Sequence, residues 1–314
     1  MPYDSLIARA DVAALVPEEV SQAMLTSLSA TSATLALGTR IPVSRNQVRF
    51  PVLSALPSAY WVSPADTGLK ETTEAAWDNK YLNIEEIAAI VPISEAVLAD
   101  SAFDVWASIR PLLEAEIART LDKAVFFGTG APATFEDDLV TAASGAANLV
   151  TRGTAATGAG GGIFSDLSNL VATVESDGYI PSAAIANTTL RPRLRTSRDT
   201  TGQLLGDDIS PSSLYGSPIQ YPLPGLWPSG SGKAEMIVGD FSRLVVGVRQ
   251  DMTYKVIDQG VITNAQNAIV YNLPQQDMVA LRVVFRAGYA VANPINYQQS
   301  TEADRYPFGV LLSA

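Results

Sequence analysis

The chain contains no histidine and no cysteine among its 314 residues. Without an imidazole or a thiol it can carry no Ser-His-Asp triad, no cysteine nucleophile, no thiolate or imidazole zinc site and no disulfide. Any chemistry would have to run on Asp, Glu, Lys, Tyr, Ser or Thr. The missing disulfides fit a reducing compartment. Charge is sparse as well: 17% of residues are charged, against about 25% in an average globular chain. Cations are the scarcer sign, with 21 Lys+Arg against 32 Asp+Glu and a net charge of −11. That balance argues against a general DNA binder, because each neutralised phosphate needs a cation. No apolar run reaches the roughly 18 residues of a membrane span. The opening MPYDSLIARADVAALVPEEV places acids where a secretory signal needs bases and then an unbroken apolar stretch. A soluble chain made inside the cell is expected.

What the chain does have is apolar material. Hydrophobic residues make up 47%, which excludes a disordered acidic tail. At about 150 residues per domain the length suggests two domains. High hydrophobicity with few charges points to surface hidden against other subunits.

Along the chain, Pro17-Glu18-Glu19 followed by Val20, Met24, Leu25 and Leu28 predicts a short amphipathic helix, with proline and acids in its first turn. Ser29 to Thr39 reads as a connector. Val48, Phe50 and Val52 alternate with polar positions and Pro51, an edge-strand pattern. Tyr60-Trp61, Pro64, Gly68 and Trp77 then punctuate a polar stretch, so residues 40–77 read as two extended arms joined by a tip. Such a hairpin has too little apolar material to hold itself together, and its aromatics are expected to pack against something else, a loop folded onto its own domain being the alternative. Ile87, Ala89, Val91 and Ile93 predict a strand. Val105, Ile109, Leu112, Leu113, Ile117, Leu121 and Val125 predict the longest helix, stopped by Gly128 and kinked or broken at Pro111. Residues 129–165 read as a weakly structured Gly/Ala/Thr-rich insert. Leu167, Leu170, Val171 and Val174 predict a helix capped by Ser165 or Asp166 and stopped by Gly178. Ala183–Ala186 reads as a buried strand, followed by an Arg-rich helix and long loops. Short strands are expected at Ile237-Val238 and Leu244-Val246, and a last one at Val279, Leu281, Val283 and Phe285, with Arg282 and Arg286 on its other face. Strand and long helix come early, an insert follows and a strand returns. The order implies a discontinuous domain interrupted by a second one.

Several motifs fail their physical tests. Gly128-Thr129-Gly130-Ala131-Pro132-Ala133 matches a dinucleotide turn in letters, but it follows a helix where a strand is required. It reads as a helix stop. Ser229-Gly230-Ser231-Gly232-Lys233 resembles a phosphate loop, but Trp227 replaces its first glycine and Ala234 its metal-binding hydroxyl. The acid pairs Glu85-Glu86 and Glu114-Glu116 read as solvated faces, with glycosidase-like catalysis the alternative. Arg191, Arg193, Arg195 and Arg198 form the one dense basic cluster. Ion pairing, between subunits or with acids such as Asp137-Asp138 and Asp207-Asp208, is its favoured role. No catalytic residue, metal site or cofactor is expected.

In sum the sequence resembles the major capsid proteins of tailed bacteriophages, of the Hong Kong 97 type, over nearly its whole length. VPEEVSQAMLTSLSATSATLALGTRIPV resembles the N-terminal arm of that family, VRFPV with AYWV its extended loop, and IAAIVPISEAVLADSAFDV with the helix ending at FFGTGAP its peripheral strand and spine helix. LYGSPI, VGDFSRLVVGVRQDMTYKV and DMVALRVVFRAGYAVANP resemble its axial domain and returning strand. The resemblance implies an α+β fold with an N-terminal arm (1–39), an extended hairpin loop (40–77), a peripheral domain (78–128 and 271–314) and an inserted axial domain (129–270). It implies self-assembly into hexamers and pentamers of an icosahedral virion shell around double-stranded DNA, held without sequence-specific binding. Scaffolding and portal proteins would be partners, synthesis would take place in the host bacterial cytoplasm, and no membrane would be involved. Because the chain begins at the arm, scaffolding is expected to be separate or unnecessary. Candidate intersubunit contacts are Arg40, Arg45, Arg49, Tyr60, Trp61, Lys70, Trp77 and the four arginines at 191–198. Some relatives form Lys–Asn cross-links assisted by Glu, for which Lys70, Asn293 or Asn296, and Glu302 are the candidates here. An encapsulin-like nanocompartment shares the implied fold, and a carboxylate-based hydrolase or carbohydrate-binding protein is the alternative from another class.

Overall fold

The computed structural model describes residues 32–62, 70, 72–101, 104–154, 162–196, 209–264 and 266–314, apart from the side chains of Gln250 and Asp251. The helix expected at 17–28 and Arg198 lie outside the described residues.

The stretch read as a connector is built. Ser32 caps a short helix, α1 (Ala33–Leu37), by accepting from the Leu35 N–H, and strand β1 (Thr39–Pro42) follows. The hairpin comes next: β2 (Gln47–Ala55) pairs antiparallel with β3 (Ala76–Asn83), and Pro51 faces Asn79. Neither strand joins another sheet, so Pro51 sits on an edge, where its missing N–H costs no ladder bond. β3 turns directly into β4 (Glu85–Ser94). A short helix that the pattern did not reveal, α2 (Glu95–Asp100), follows it.

The long helix is α3 (Val105–Phe127), 23 residues with Asp104 as N-cap and Gly128 at φ 63° as left-handed C-cap. Of the kink or break expected at Pro111, the break does not occur: the helix runs through the proline. One lost backbone bond is a local cost of about 3 kcal/mol, and the helix is fixed on both sides of it. Asp104 accepts from Ala107 N–H at one end, and Ile117, Leu121 and Val125 are buried toward the other.

The insert is more ordered than its composition suggested. α4 (Leu139–Gly145) is capped by Asp138, and β5 (Leu149–Thr151) follows. α5 (Ile163–Ser176) starts one turn earlier than expected, with Gly162 at its N-cap. Asp166 is therefore inside the first turn, where it accepts from the Gly153 N–H. β6 (Ala183–Ala186) is wholly buried, and α6 (Leu190–Thr196) is the Arg-rich helix. Within the expected loops are β7 (Ser213–Leu214) and β8 (Ser217–Gln220). β9 (Ala234–Gly239) and β10 (Leu244–Ile257) flank a 3₁₀ turn at Phe241–Arg243. A small ribbon, β11 (Val261–Thr263) with β12 (Ile269–Asn272), precedes the long β13 (Met278–Val291). β13 is not the last strand: β14 (Phe308–Leu312) closes the chain.

Two main sheets result. One has the order β1-β10-β13-β4, the other β5-β14-β9-β6-β8-β7. The returning strand does pair with the early one, Val279 opposite Ile93 and Phe285 opposite Ile87. Residues 244–257, however, join β13, and residues 308–312 join the six-stranded sheet. The expected spans 129–270 and 271–314 therefore do not each correspond to one sheet. The swap has a physical basis. β10 and β13 are joined through the β11–β12 ribbon and pair as antiparallel neighbours, while Phe308 and Val310 are fully buried apolar residues that complete the other sheet.

A continuous core joins the sheets: Ile117, Leu121 and Val125 of α3 meet Leu281 and Phe285 on one side and Ile237 and Phe308 on the other. α5 covers the far face of the six-stranded sheet through Leu167, Leu170 and Val171 against Ala184, Met236 and Leu311. A third, small cluster of Val43, Leu82, Ile84 and Ala290 roots the hairpin. The root is tight. A Cβ on Gly288 would overlap the Asn83 carbonyl, so only glycine permits β13 to pass under the β3–β4 turn.

Candidate functional site

Beyond its root the hairpin carries large apolar side chains into solvent. Trp61 is 99% exposed and Trp77 65%, with Tyr60, Val62 and Tyr81 also exposed. Trp77 faces Leu53 across the ribbon, and Arg49 faces Tyr81. Lys70 is exposed nearer the tip, and Arg45 is exposed in the turn between β1 and β2. Arg40, on the edge strand β1, donates from Nε to the Leu35 carbonyl at 2.6 Å. A two-stranded ribbon is marginal alone, and single exposed apolar side chains are ordinary. Trp77 and Tyr81 on β3, with Tyr60, Trp61 and Val62 in the irregular stretch beyond β2, expose more large apolar side chains on one segment than scattered single residues do, as binding surfaces do.

The loop 292–307, between β13 and β14, braces that hairpin against α5. Ile295 N–H donates to the Leu53 carbonyl at 3.0 Å, and Tyr297 Oη donates to the Pro57 carbonyl at 3.1 Å. On the opposite side Asn296 Nδ2 donates to the Asp177 carbonyl at 2.7 Å, and Gln298 Nε2 donates to the Glu175 carbonyl at 3.0 Å. At the centre Asn293 Oδ1 accepts from Tyr179 Oη at 2.8 Å and from Arg305 Nε at 3.0 Å. Arg305 is buried, and Nη1 and Nη2 donate to the carbonyls of Gln299 and Asn293. No ion pair among the described residues involves Arg305. Burial pushes the Tyr179 hydroxyl up, an effect opposed by the Arg305 charge. Half-buried Glu136 is likewise raised by burial, with the Lys80 charge pulling it back.

Of the four cross-link candidates, Asn293, Asn296 and Glu302 share this loop, but Glu302 pairs with Lys80 at 3.3 Å. Among the described residues no hydrogen bond or ion pair joins Lys70 to them. The amides of Asn293 and Asn296 are spent on bonds within the subunit. Sequence reading missed Arg305, Tyr179 and Lys80, because a lone polar residue in an irregular stretch carries no periodicity to betray burial.

The basic cluster is spread over α6. Arg191, Arg193 and Arg195 are exposed, and the Arg191 guanidinium lies 5.5 Å from the Tyr221 ring centroid. Asp138, offered as a partner, is occupied in capping α4. The paired acids are also engaged: Glu85 accepts from Thr134, Glu86 pairs with Arg286, Glu114 accepts from Tyr254 and Glu116 pairs with Arg119. Gly128 is the expected helix stop. The Ser229–Lys233 turn leads into β9 and not into a helix, so it has no helix N-terminus to offer a phosphate.

A buried brace thus holds an aromatic ribbon out from a two-sheet body, a layout suited to grasping another protein. The sequence profile of the Phage capsid family matches residues 12–296. The chain belongs to the phage capsid family. A solved structure from Microbacterium phage Oxtober96 is 34% identical, with 99% of this chain and 100% of that one covered and a TM-score of 0.84. One from Mycobacterium phage Adephagia is 28% identical, covering 99% of each chain with a TM-score of 0.85. The major capsid protein of Staphylococcus phage 80alpha is 24% identical over 290 residues, 91% of this chain and 85% of that protein. The capsid protein therefore has the α+β fold of the Hong Kong 97 type, and its family is one of structural proteins, not of enzymes.

Proposed function

We propose that this capsid protein assembles into rings of six and five subunits that close an icosahedral phage head around double-stranded DNA. The observation that carries the reading is the hairpin β2–β3 and the stretch beyond it: Trp77 is exposed on β3 and Trp61 past the end of β2, while the small core cluster at Val43, Leu82 and Ile84 lies at the root. Such a ribbon is stabilised when a neighbouring subunit covers it. A repeated heterologous contact that closes by rotation makes a ring. The phage capsid family match supports a genome-holding head over a nanocompartment. The charge of −11 suits a container, since a wall that clung to phosphates would hinder packing and release of DNA. Repulsion between copies is screened over about 8 Å at physiological salt and offset by apolar interfaces. Scaffolding and portal partners, and synthesis in a bacterial host, belong to the same reading.

Electron microscopy of the purified protein tests it. Capsomer rings or uniform closed shells are expected across assembly conditions. A small monodisperse particle under all of them overturns the proposal.

A further inference from the structure

We infer that Asp122 is the positioning residue that fixes where the N-terminal arm leaves the body of the subunit. The inference rests on the assembly reading above. Asp122 lies near the C-terminal end of α3 and is 1% exposed. Its Oδ1 accepts from the Ser32 hydroxyl at 2.5 Å and from the Thr34 N–H at 3.1 Å. Its Oδ2 accepts from the Ala33 N–H at 2.9 Å. No ion pair among the described residues involves it. A carboxylate in this position is costly without compensation, and the compensation comes wholly from the three residues where the arm meets the body.

The segment it holds cannot hold itself. α1 has five residues, far short of a helix stable alone, and two of its orphan N–H groups end on Asp122. Ser32 is used twice: it donates to Asp122 and accepts from Leu35 N–H. The other end of the segment is fixed by β1, which pairs in parallel with β10 from Thr39 to Pro42. Residues 32–42 are thus tied at both ends. A segment fixed before subunits meet spares assembly the free-energy cost of ordering it. The chemistry requires an acceptor-only group. Asparagine has the same shape but would turn an amide N–H₂ toward a backbone N–H.

The test compares the full chain with Asp122→Asn, a chain lacking residues 1–31, and the combination. Hydrogen exchange at the amides of Ala33, Thr34 and Leu35 is expected to quicken at least tenfold in Asp122→Asn, while amides of β13 keep their protection. Closed shells in electron micrographs are expected to fall at least tenfold in the same variant. Adding Asp122→Asn to the truncated chain is expected to change assembly no further, which a merely stabilising residue would not obey. Unchanged exchange, or further loss in the truncated background, overturns the inference. If Asp122→Asn does not fold, Ser32→Ala removes one donor and carries the same readouts. If the unaltered chain makes no shells, the assembly reading fails, while exchange at 33–35 still decides whether Asp122 holds the segment.

Discussion

Arg305 and Asn293 bond each other three times: Arg305 Nε donates to Asn293 Oδ1 at 3.0 Å, Nη2 donates to the Asn293 carbonyl at 3.1 Å, and Asn293 Nδ2 donates back to the Arg305 carbonyl at 2.7 Å. Both residues are buried. This reciprocal pair closes the loop that carries bonds to the hairpin on one side and to the end of α5 on the other. Replacing Asn293 with Ala leaves the buried Arg305 Nε–H without its acceptor and the Tyr179 hydroxyl with only the Pro294 carbonyl at 3.2 Å. The expected loss is about 2–4 kcal/mol of subunit stability, read from the denaturant midpoint. A variant within about 0.5 kcal/mol of the parent would show that the pair is not the keystone of the loop.

Asp122 gives a pH dependence whose sign follows from its environment. Burial raises its carboxyl above 3.8, and hydrogen bonds from Ser32, Thr34 and Ala33 offset this only in part. The folded state therefore binds the proton more tightly than the unfolded state. Its contribution is fully present below the unfolded pKa and is lost as pH rises through the higher folded value. The stability difference between the parent and Asp122→Asn, followed by denaturation from acid to neutral pH, should shift against the parent as pH rises. The opposite slope would mean that hydrogen bonding outweighs burial at this site.

Trp61 and Trp77 separate folding from assembly. Both are exposed in the subunit, so Trp61→Ala and Trp77→Ala should each alter subunit stability by no more than about 0.5 kcal/mol. Shell yield, measured by sedimentation, should fall sharply. Full yield with both tryptophans removed would remove the hairpin from the list of intersubunit contacts.

Gly288→Ala tests the hairpin root. The new methyl would meet the Asn83 carbonyl, a backbone atom that cannot rotate away. Overpacking of this kind costs about 1–3 kcal/mol, and thermal unfolding should register it. Faster exchange centred on Asn83 and Ile84 would place the strain at the β3–β4 turn.

Lys80 and Glu302 form an ion pair at 3.3 Å with partly exposed side chains. Lys80→Met should cost less than about 1 kcal/mol, with the difference fading at high salt. A larger, salt-insensitive loss would show that Lys80 matters more to half-buried Glu136 than to Glu302.

The elements legible in the sequence were those with a repeating burial pattern. Ile117, Leu121 and Val125 mark a helix because every turn meets the same core, and Val279 to Phe285 mark a strand because alternate residues do. Val48, Phe50 and Val52 placed the hairpin for the same reason, while Gly128 announced a helix end through its left-handed backbone. α4 and β14 escaped notice because seven and five residues are too few to repeat. The apolar Phe308–Leu312 fits a buried strand in either sheet, and only the shape of the assembled core assigns it to the six-stranded one.

By itself, then, the sequence determined the absence of imidazole and thiol chemistry, the net charge of −11, the order of the main elements and the aromatics of an unsupported hairpin. Each follows from composition or local periodicity. Tertiary structure alone decided that β10 and β14 exchange the sheets their positions in the chain suggested. It also decided that Asn293 and Asn296 face inward into a brace, that Arg305 and Asp122 are buried charges, and that residues 32–34 end on Asp122. Those relationships join residues 12 to 119 positions apart, and no local pattern records a partner that only the fold brings near.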